Sequence, residues 1–162
     1  MMLIRNTQAR DTDAVMNIYA SARRFMRENG NGSQWGDGHP TRELVEADII
    51  NKDGYVVEEN GEIIGAFFFK IGEDPTYKVI HGGEWIKDGK YGVIHRIAVK
   101  YHGRGIVGFV YNHCYSIINN LRIDTHKNNI PMQRSLEKAG FRYCGIIHIA
   151  NGDERVAYQK VE

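Results

Sequence analysis

Between Asp11 and Glu28 apolar residues return every three or four positions: Val15, Ile18, Tyr19, Ala22, Phe25 and Met26. That spacing marks one face of a helix, and Asp11 or Thr12 is placed to cap its start. A short strand over Leu3–Arg5 precedes it. Periodicity breaks from Asn29 to Gly38, where Gly30, Gly32, Gly36 and Gly38 surround Gln34-Trp35. A second helix opens at Pro40-Thr41, carries Leu44, Val45, Asp48 and Ile49, and ends before Asp53-Gly54. The texture then turns to strand. Tyr55–Glu59 and Glu62–Ile71 flank Asn60-Gly61, a strong hairpin signal because both central turn positions take positive φ. Residues 72–91 are rich in turn formers (Asp74-Pro75, Gly82-Gly83, Gly89), and so long a connection is expected to be functional or to carry structure of its own.

The second half alternates strands with helices. Gly92–Val99 is β-rich. Gly103–Asn119 reads as a helix with Ile106, Val107, Val110, Cys114, Ile117 and Ile118 on one side. Leu121–Thr125 is a short strand. Asn128 or Asn129 caps a last helix with Pro131 in its first turn and Gly140 at its stop. Arg142–Ile149 and Arg155–Gln159 pair around Asn151-Gly152. The predicted order is β-α-α-β-β-β-α-β-α-β-β, a mixed α/β layered fold.

At 162 residues a single domain spanning 1–162 is expected. Lys plus Arg number 21 against 20 Asp plus Glu, a net charge of +1, which argues against nucleic acid as the main partner. The two cysteines, Cys114 and Cys144, form no C-x-x-C and no zinc-ligand pair, and the histidines form no H-E-x-x-H. No metal is expected, and a reducing, cytoplasmic location is. Met1–Asn6 becomes polar too soon for a signal peptide. The apolar run Ile63–Phe69 is far shorter than the roughly 20 residues a membrane helix needs, so no membrane partner is expected. Asn31-Gly32-Ser33 matches a glycosylation sequon by chance on this view.

The chemistry concentrates at Tyr101-His102-Gly103-Arg104-Gly105-Ile106-Val107-Gly108, which follows a strand and opens a helix. Glycines there let the backbone approach an anion, and the free N–H groups at a helix start favour phosphate. Gly103-x-Gly105-x-x-Gly108 also fits the dinucleotide fingerprint, with Asp124 placed near a ribose-binding acid, so a nicotinamide-dependent enzyme is one alternative. Against it, the preceding segments form a hairpin and little chain follows Asp124.

Gly92–Val99, the glycine loop, Asp124–Gln133 and Ser135–Phe141 together resemble the GCN5-related N-acetyltransferase (GNAT) family, in its small bacterial branch. Gln34-Trp35 and Cys144–Ile147 add to the likeness. The resemblance implies a mostly antiparallel central sheet flanked by helices and split between the strands at 92–99 and 121–125, with the pantetheine arm in the cleft. It implies transfer of the acetyl group of acetyl-CoA to a primary amine, by direct attack in a ternary complex. Ile97, Ala98 and Val99, the loop residues His102, Gly103, Arg104, Gly105, Ile106, Val107 and Gly108, and Asn129, Met132 and Ser135 would bind the cofactor. Three positions depart from the family pattern. His102 stands for Gln or Arg. Val107 stands for a small residue. Leu136 stands where many members carry a Tyr that protonates the leaving thiolate. A catalytically degenerate CoA-binding or sensing module is a further alternative.

An ammonium cannot attack a thioester, so a base is needed, and the tetrahedral intermediate needs an N–H donor, expected from the backbone near Ile97–Val99. His95, with the parity of Ile97 and Val99, and Glu84 are candidate bases. Tyr143 is a candidate replacement acid. Asp124 or His126 would contact substrate or cap the last helix. Trp35 and Trp85 are candidates for an acceptor pocket, each set against a packing role. Lys127 and Arg134 could neutralise CoA phosphates. The expected partner is a small-molecule or peptide amine, and the resemblance admits a homodimer.

Overall fold

The computed structural model describes residues 1–162. Seven strands form one mostly antiparallel sheet in the order β1-β2-β3-β4-β5-β7-β6, flanked by four helices. The strands are β1 (Met2–Asn6), β2 (Gly54–Glu59), β3 (Glu62–Ile71), β4 (Gly92–Val99), β5 (Leu121–Thr125), β6 (Arg142–His148) and β7 (Glu154–Lys160). The helices are α1 (Thr12–Glu28), α2 (Arg42–Asn51), α3 (Ile106–Ile117) and α4 (Ile130–Lys138). No helix is long and apolar enough to cross a membrane.

The chain divides into two compact units. The first comprises Met1–Phe69 and His95–Val110. Its core is Val15, Ile18 and Tyr19 of α1, Val45 of α2, Val56 and Ala66 of the hairpin, and Ala98 of β4. The hairpin turns at Asn60 (φ 51°) and Gly61 (φ 81°), the two positive φ values that the Asn-Gly pair predicts. Thr41 caps α2 by accepting from the Leu44 amide at 3.2 Å. Asp11 precedes α1 but makes no such cap. Its carboxylate instead accepts from Arg5 at 2.7 Å and from the Gln8 amide at 2.8 Å.

The second unit comprises Lys70–Ile94 and Tyr111–Glu162. β4 and β5 pair in parallel only over Gly92–Leu121 and Val93–Arg122. β5 then runs antiparallel to β7 along its full length, and β6 to β7. Asn129 is the cap of α4, accepting from the Met132 amide at 3.2 Å, and Gly140 stops the helix at φ 94°.

The connection 72–91 carries structure of its own. It holds a 3₁₀ turn at Pro75–Tyr77 and is fastened to β5 and β7. Tyr77, 1% exposed, donates to the Asp124 carboxylate at 2.7 Å. The Arg122 guanidinium lies between two aromatic faces, 4.2 Å from the Trp85 ring centre and 4.1 Å from that of Tyr91, and donates to the Lys87 carbonyl. Gln159 accepts from the amides of Ile86 and Lys87. Gly83 passes so close to β6 that a β-carbon there would sit 2.0 Å from the Cys144 carbonyl oxygen.

Two expectations of detail differ. The third helix begins at Ile106 rather than Gly103, because Gly103 (φ 76°) and Gly105 (φ 74°) lie outside helical space. Its apolar face turns to include Tyr111, fully buried, and leaves Ile117 half exposed. Asn31 is 1% exposed and donates to Gln34, which leaves no room for a glycan.

Candidate active site

β4 is buried at both ends and open in the middle. Gly92, Val93, Ile94, Ala98 and Val99 are buried, while His95, Arg96 and Ile97 all reach partial exposure. A regular strand alternates faces and cannot present three consecutive residues this way. The cause is Arg96, which takes φ 52°, a left-handed value rare for a long side chain within a strand. The parity expected between His95 and Val99 therefore does not run unbroken through the strand.

Arg96 is held from several directions inside the first unit. One guanidinium nitrogen donates to Asp48 on α2 at 2.6 Å, with both side chains largely buried. The guanidinium also lies 4.8 Å from the ring centre of Phe68, which packs against His95 with ring centres 5.6 Å apart. Its Nε is buried without a partner. Burial raises the Asp48 carboxyl above its ordinary range against the pull of Arg96. Burial also pushes the nearby Tyr19 phenol up, with Arg96 opposing. Trp35 stands edge-on to Tyr19 at 5.6 Å and to His39 at 5.9 Å, half-buried against the core of this unit.

The glycine loop follows in the same unit. His102, Gly103, Arg104 and Gly105 are exposed. A β-carbon built at Gly103, Gly105 or Gly108 would meet no atom within 4 Å, so the space beside the loop is open. The positive φ values, not crowding, demand glycine at 103 and 105. The amides of Ile106, Val107 and Gly108 open α3, where a first turn has no intrahelical acceptors. The loop's cations are already engaged. Lys100 and the Tyr101 hydroxyl both reach Glu62, at 2.5 Å and 2.8 Å. Arg104 pairs with Glu59 at 3.0 Å and lies over the Tyr101 ring at 4.5 Å. His102 stacks on Phe25 of α1.

The structure thus gathers Trp35, His95, Ile97–Val99 and the glycine loop into the first unit. The other candidates lie in the second. Glu84 is exposed. Trp85 donates its indole N–H to the Tyr77 carbonyl at 2.8 Å and has its ring covered by Arg122. Asp124 accepts from Tyr77, and His126 accepts from the Asn128 amide in the turn before α4. Met132 and Ser135 meet the buried Tyr111 hydroxyl at 3.5 Å and 3.2 Å, beyond the Asn129 cap. Leu136 is completely buried core. Tyr143 is 53% exposed and stands edge-on to Tyr158. Lys127 and Arg134 are exposed. Burial pushes the Cys114 thiol up to about 12 and raises that of Cys144, so neither is a nucleophile near neutrality. No group of three or more His, Cys, Asp or Glu is placed to hold a metal ion.

Two residues of this region, Asp48 and Arg96, were not singled out from sequence. The available signal was a carboxylate among the apolar positions Leu44, Val45 and Ile49 of α2, which calls for a buried partner.

A kinked strand, an exposed glycine loop and a helix start are thus carried on a mostly antiparallel sheet of the mixed α/β class. The family model described as the acetyltransferase (GNAT) family matches residues 13–141, and the chain belongs to this family. A crystal structure of a GNAT-family acetyltransferase from Streptococcus agalactiae superposes with a TM-score of 0.91 at 31% identity, over 99% of this chain and 95% of that one. A GNAT-family acetyltransferase from Listeria monocytogenes gives 0.70 at 18% identity, over 98% and 94%. Ribosomal-protein-alanine N-acetyltransferase from Brucella melitensis gives 0.67 at 17% identity, over 99% of both chains. These last two share the fold. No curated protein matches the chain significantly.

Proposed function

We propose that this protein, as one acetyltransferase domain, transfers the acetyl group of acetyl-CoA to a primary amine in a ternary complex. The observation that carries this is the open glycine loop, with Gly103 and Gly105 at positive φ ahead of α3, in a chain of the GNAT family. Because Glu59 and Glu62 already neutralise Arg104 and Lys100, the main-chain amides of the loop and of the first turn of α3 are assigned to the pyrophosphate. Ile97–Val99, Asn129, Met132 and Ser135 are assigned to the rest of the cofactor. The mostly antiparallel sheet is not the doubly wound parallel sheet that a nicotinamide-binding site uses, which speaks against that alternative.

In the reaction the neutral amine nitrogen attacks the acetyl carbonyl carbon, the C–N bond forms, and collapse breaks the C–S bond to release the CoA thiolate. The ammonium must first lose a proton. His95 is assigned as the base, since it stands on the kinked strand, half-buried against Phe68. Glu84 and Tyr143 are secondary assignments, as base and acid. With Leu136 buried in the core, the thiolate leaves without the family's tyrosine and takes its proton from Tyr143 or water. Trp35 is assigned to the acceptor, and the protein itself to the cytoplasm. Trp85 and Asp124, which also fasten the connection 72–91, are secondary assignments to the acceptor.

The test has two stages. Thermal shifts with acetyl-CoA, CoA, NAD and NADP are read in parallel, and saturation at ~100 times Kd adds about 2.7 kcal/mol. Release of free thiol from acetyl-CoA is then followed across a panel of primary amines. Shifts with both CoA species and turnover with one amine are expected. Binding without turnover on any amine would assign the non-catalytic module instead, and a shift with NAD alone would overturn the reading.

A further inference from the structure

We infer that Glu59 and Glu62, at the tip of the β2–β3 hairpin, act as a brake on cofactor affinity. They engage Arg104 and Lys100, the two cations between β4 and α3, which would otherwise pair with the phosphates of CoA. The inference rests on the proposed use of acetyl-CoA.

The hairpin supplies the first observation. Glu59 and Glu62 close the Asn60-Gly61 turn, directly opposite each other in the register of β2 and β3. Opposite residues of an antiparallel pair share a face, and two like charges placed there destabilise the sheet. Glu58, one position earlier, finds its cation within the sheet, where Arg5 of β1 donates to it at 3.1 Å. Glu59 and Glu62 find theirs only by reaching across to the glycine loop. Proteins keep a locally unfavourable arrangement of this kind where function uses it.

The second observation is how completely the cations are taken up. Arg104 donates to Glu59 at 3.0 Å, and Lys100 and the Tyr101 hydroxyl both donate to Glu62. The Tyr101 ring lies beneath both cations, 4.5 Å from the Arg104 guanidinium and 5.6 Å from the Lys100 ammonium. Bonding to Lys100 and Tyr101 holds the Glu62 carboxyl below its ordinary range, so it is charged at neutral pH. Two positive and two negative charges cancel beside amides that are free to take a phosphate. The third observation is exposure. The Arg104 and Lys100 side chains are about half exposed, so either can leave its carboxylate without burying a bare charge. A phosphate offers the guanidinium the same kind of charged acceptor. The carboxylates therefore compete with CoA for the cations and repel its phosphates as well. Release of product CoA would be faster for it.

CoA itself is the probe, and calorimetric titration of the full chain reads its affinity. At low ionic strength Glu59→Gln, which keeps the shape of the side chain and removes its charge, is expected to bind CoA about fivefold tighter than wild type. Arg104→Ala in the Glu59→Gln background should remove most of that gain, although Arg104→Ala alone changes affinity less than about threefold. At about 1 M salt, where the screening length is ~3 Å, the gain should shrink to less than about twofold. If Glu59→Gln does not fold, Glu62→Gln with and without Lys100→Ala supplies the same cycle. An affinity unchanged or weakened by removing the carboxylate charge, as expected if the pairs merely fasten the loop to the hairpin, overturns the inference and leaves the acetyl-CoA reading standing. A gain that survives Arg104→Ala undiminished does the same. Failure of wild type and variants alike to bind CoA overturns both.

Discussion

The imidazole of His102 lies flat against the ring of Phe25, with centres 4.1 Å apart and planes 17° from parallel. The stack joins the exposed glycine loop to α1 through the residue that replaces the family's Gln or Arg. Removing it with Phe25→Ala should cost about 1 kcal/mol, the scale of an aromatic pair. If the loop binds CoA, its affinity should fall about fivefold through lost preorganisation. Calorimetric titration beside a thermal melt checks both.

Main chain and side chain in the loop should separate cleanly. Gly105→Ala meets open space but must hold φ 74°, so it should cost only about 1 kcal/mol of stability while weakening CoA tenfold or more. Arg104→Ala, which removes a partner of Glu59 on the protein surface, should change affinity less than about threefold. An order reversed between the two in a CoA titration would move the binding from amides to side chains.

Gly83→Ala is expected to be the most damaging small substitution in the connection 72–91. Its β-carbon would lie 2.0 Å from the Cys144 carbonyl, which is backbone and cannot swing aside. A loss of about 3 kcal/mol or more follows, roughly 6–12 °C in Tm.

Tyr77→Phe removes one oxygen from a completely packed site and takes away the donor to Asp124. About 2 kcal/mol of stability should disappear, the value of a hydrogen bond to a charged acceptor. The denaturant midpoint should drop with an unchanged slope.

Acid stability should depend on Asp11. Hydrogen bonding to Arg5 lowers its carboxyl below the usual range, helped by the Gln8 amide and opposed by burial. A depressed folded-state value means the unfolded chain takes up this proton first. The contribution is therefore full above the ordinary carboxylate value of about 4 and is lost as pH falls through the lower folded value. Melts from pH 6 to pH 2 should show a shallower acid slope in Asp11→Asn than in wild type.

The order of elements was legible in the sequence, because turn chemistry and period agreed at most boundaries. Asn60-Gly61, the Asn129 cap and Gly140 each appear where predicted, for the backbone reason that predicted them. The glycine loop was equally legible, though the helix it opens starts later than periodicity suggested. What sequence could not convey was side-chain partnership across distance. Asp48 and Arg96 are 48 positions apart, and nothing local links them. The kink at Arg96 was hidden as well, since a positive φ at arginine has no sequence signature. The anchoring of Trp85 and Asp124 was not legible either. Their partners Arg122 and Tyr77 had no visible connection to them until the fold brought them together.

Gln159 is fully buried and spends its amide on the main chain of 86–87 and on Asn120. The bonds to residues 86 and 87 span 73 and 72 positions of sequence. On the ribosome, residues 86–87 are made long before the strand that fastens them. During synthesis residues 86 and 87 must wait for a side chain made 73 and 72 positions later. Their order is completed only once β7 has been made, so a stalled product lacking β7 would leave this stretch of the connection more open to proteases.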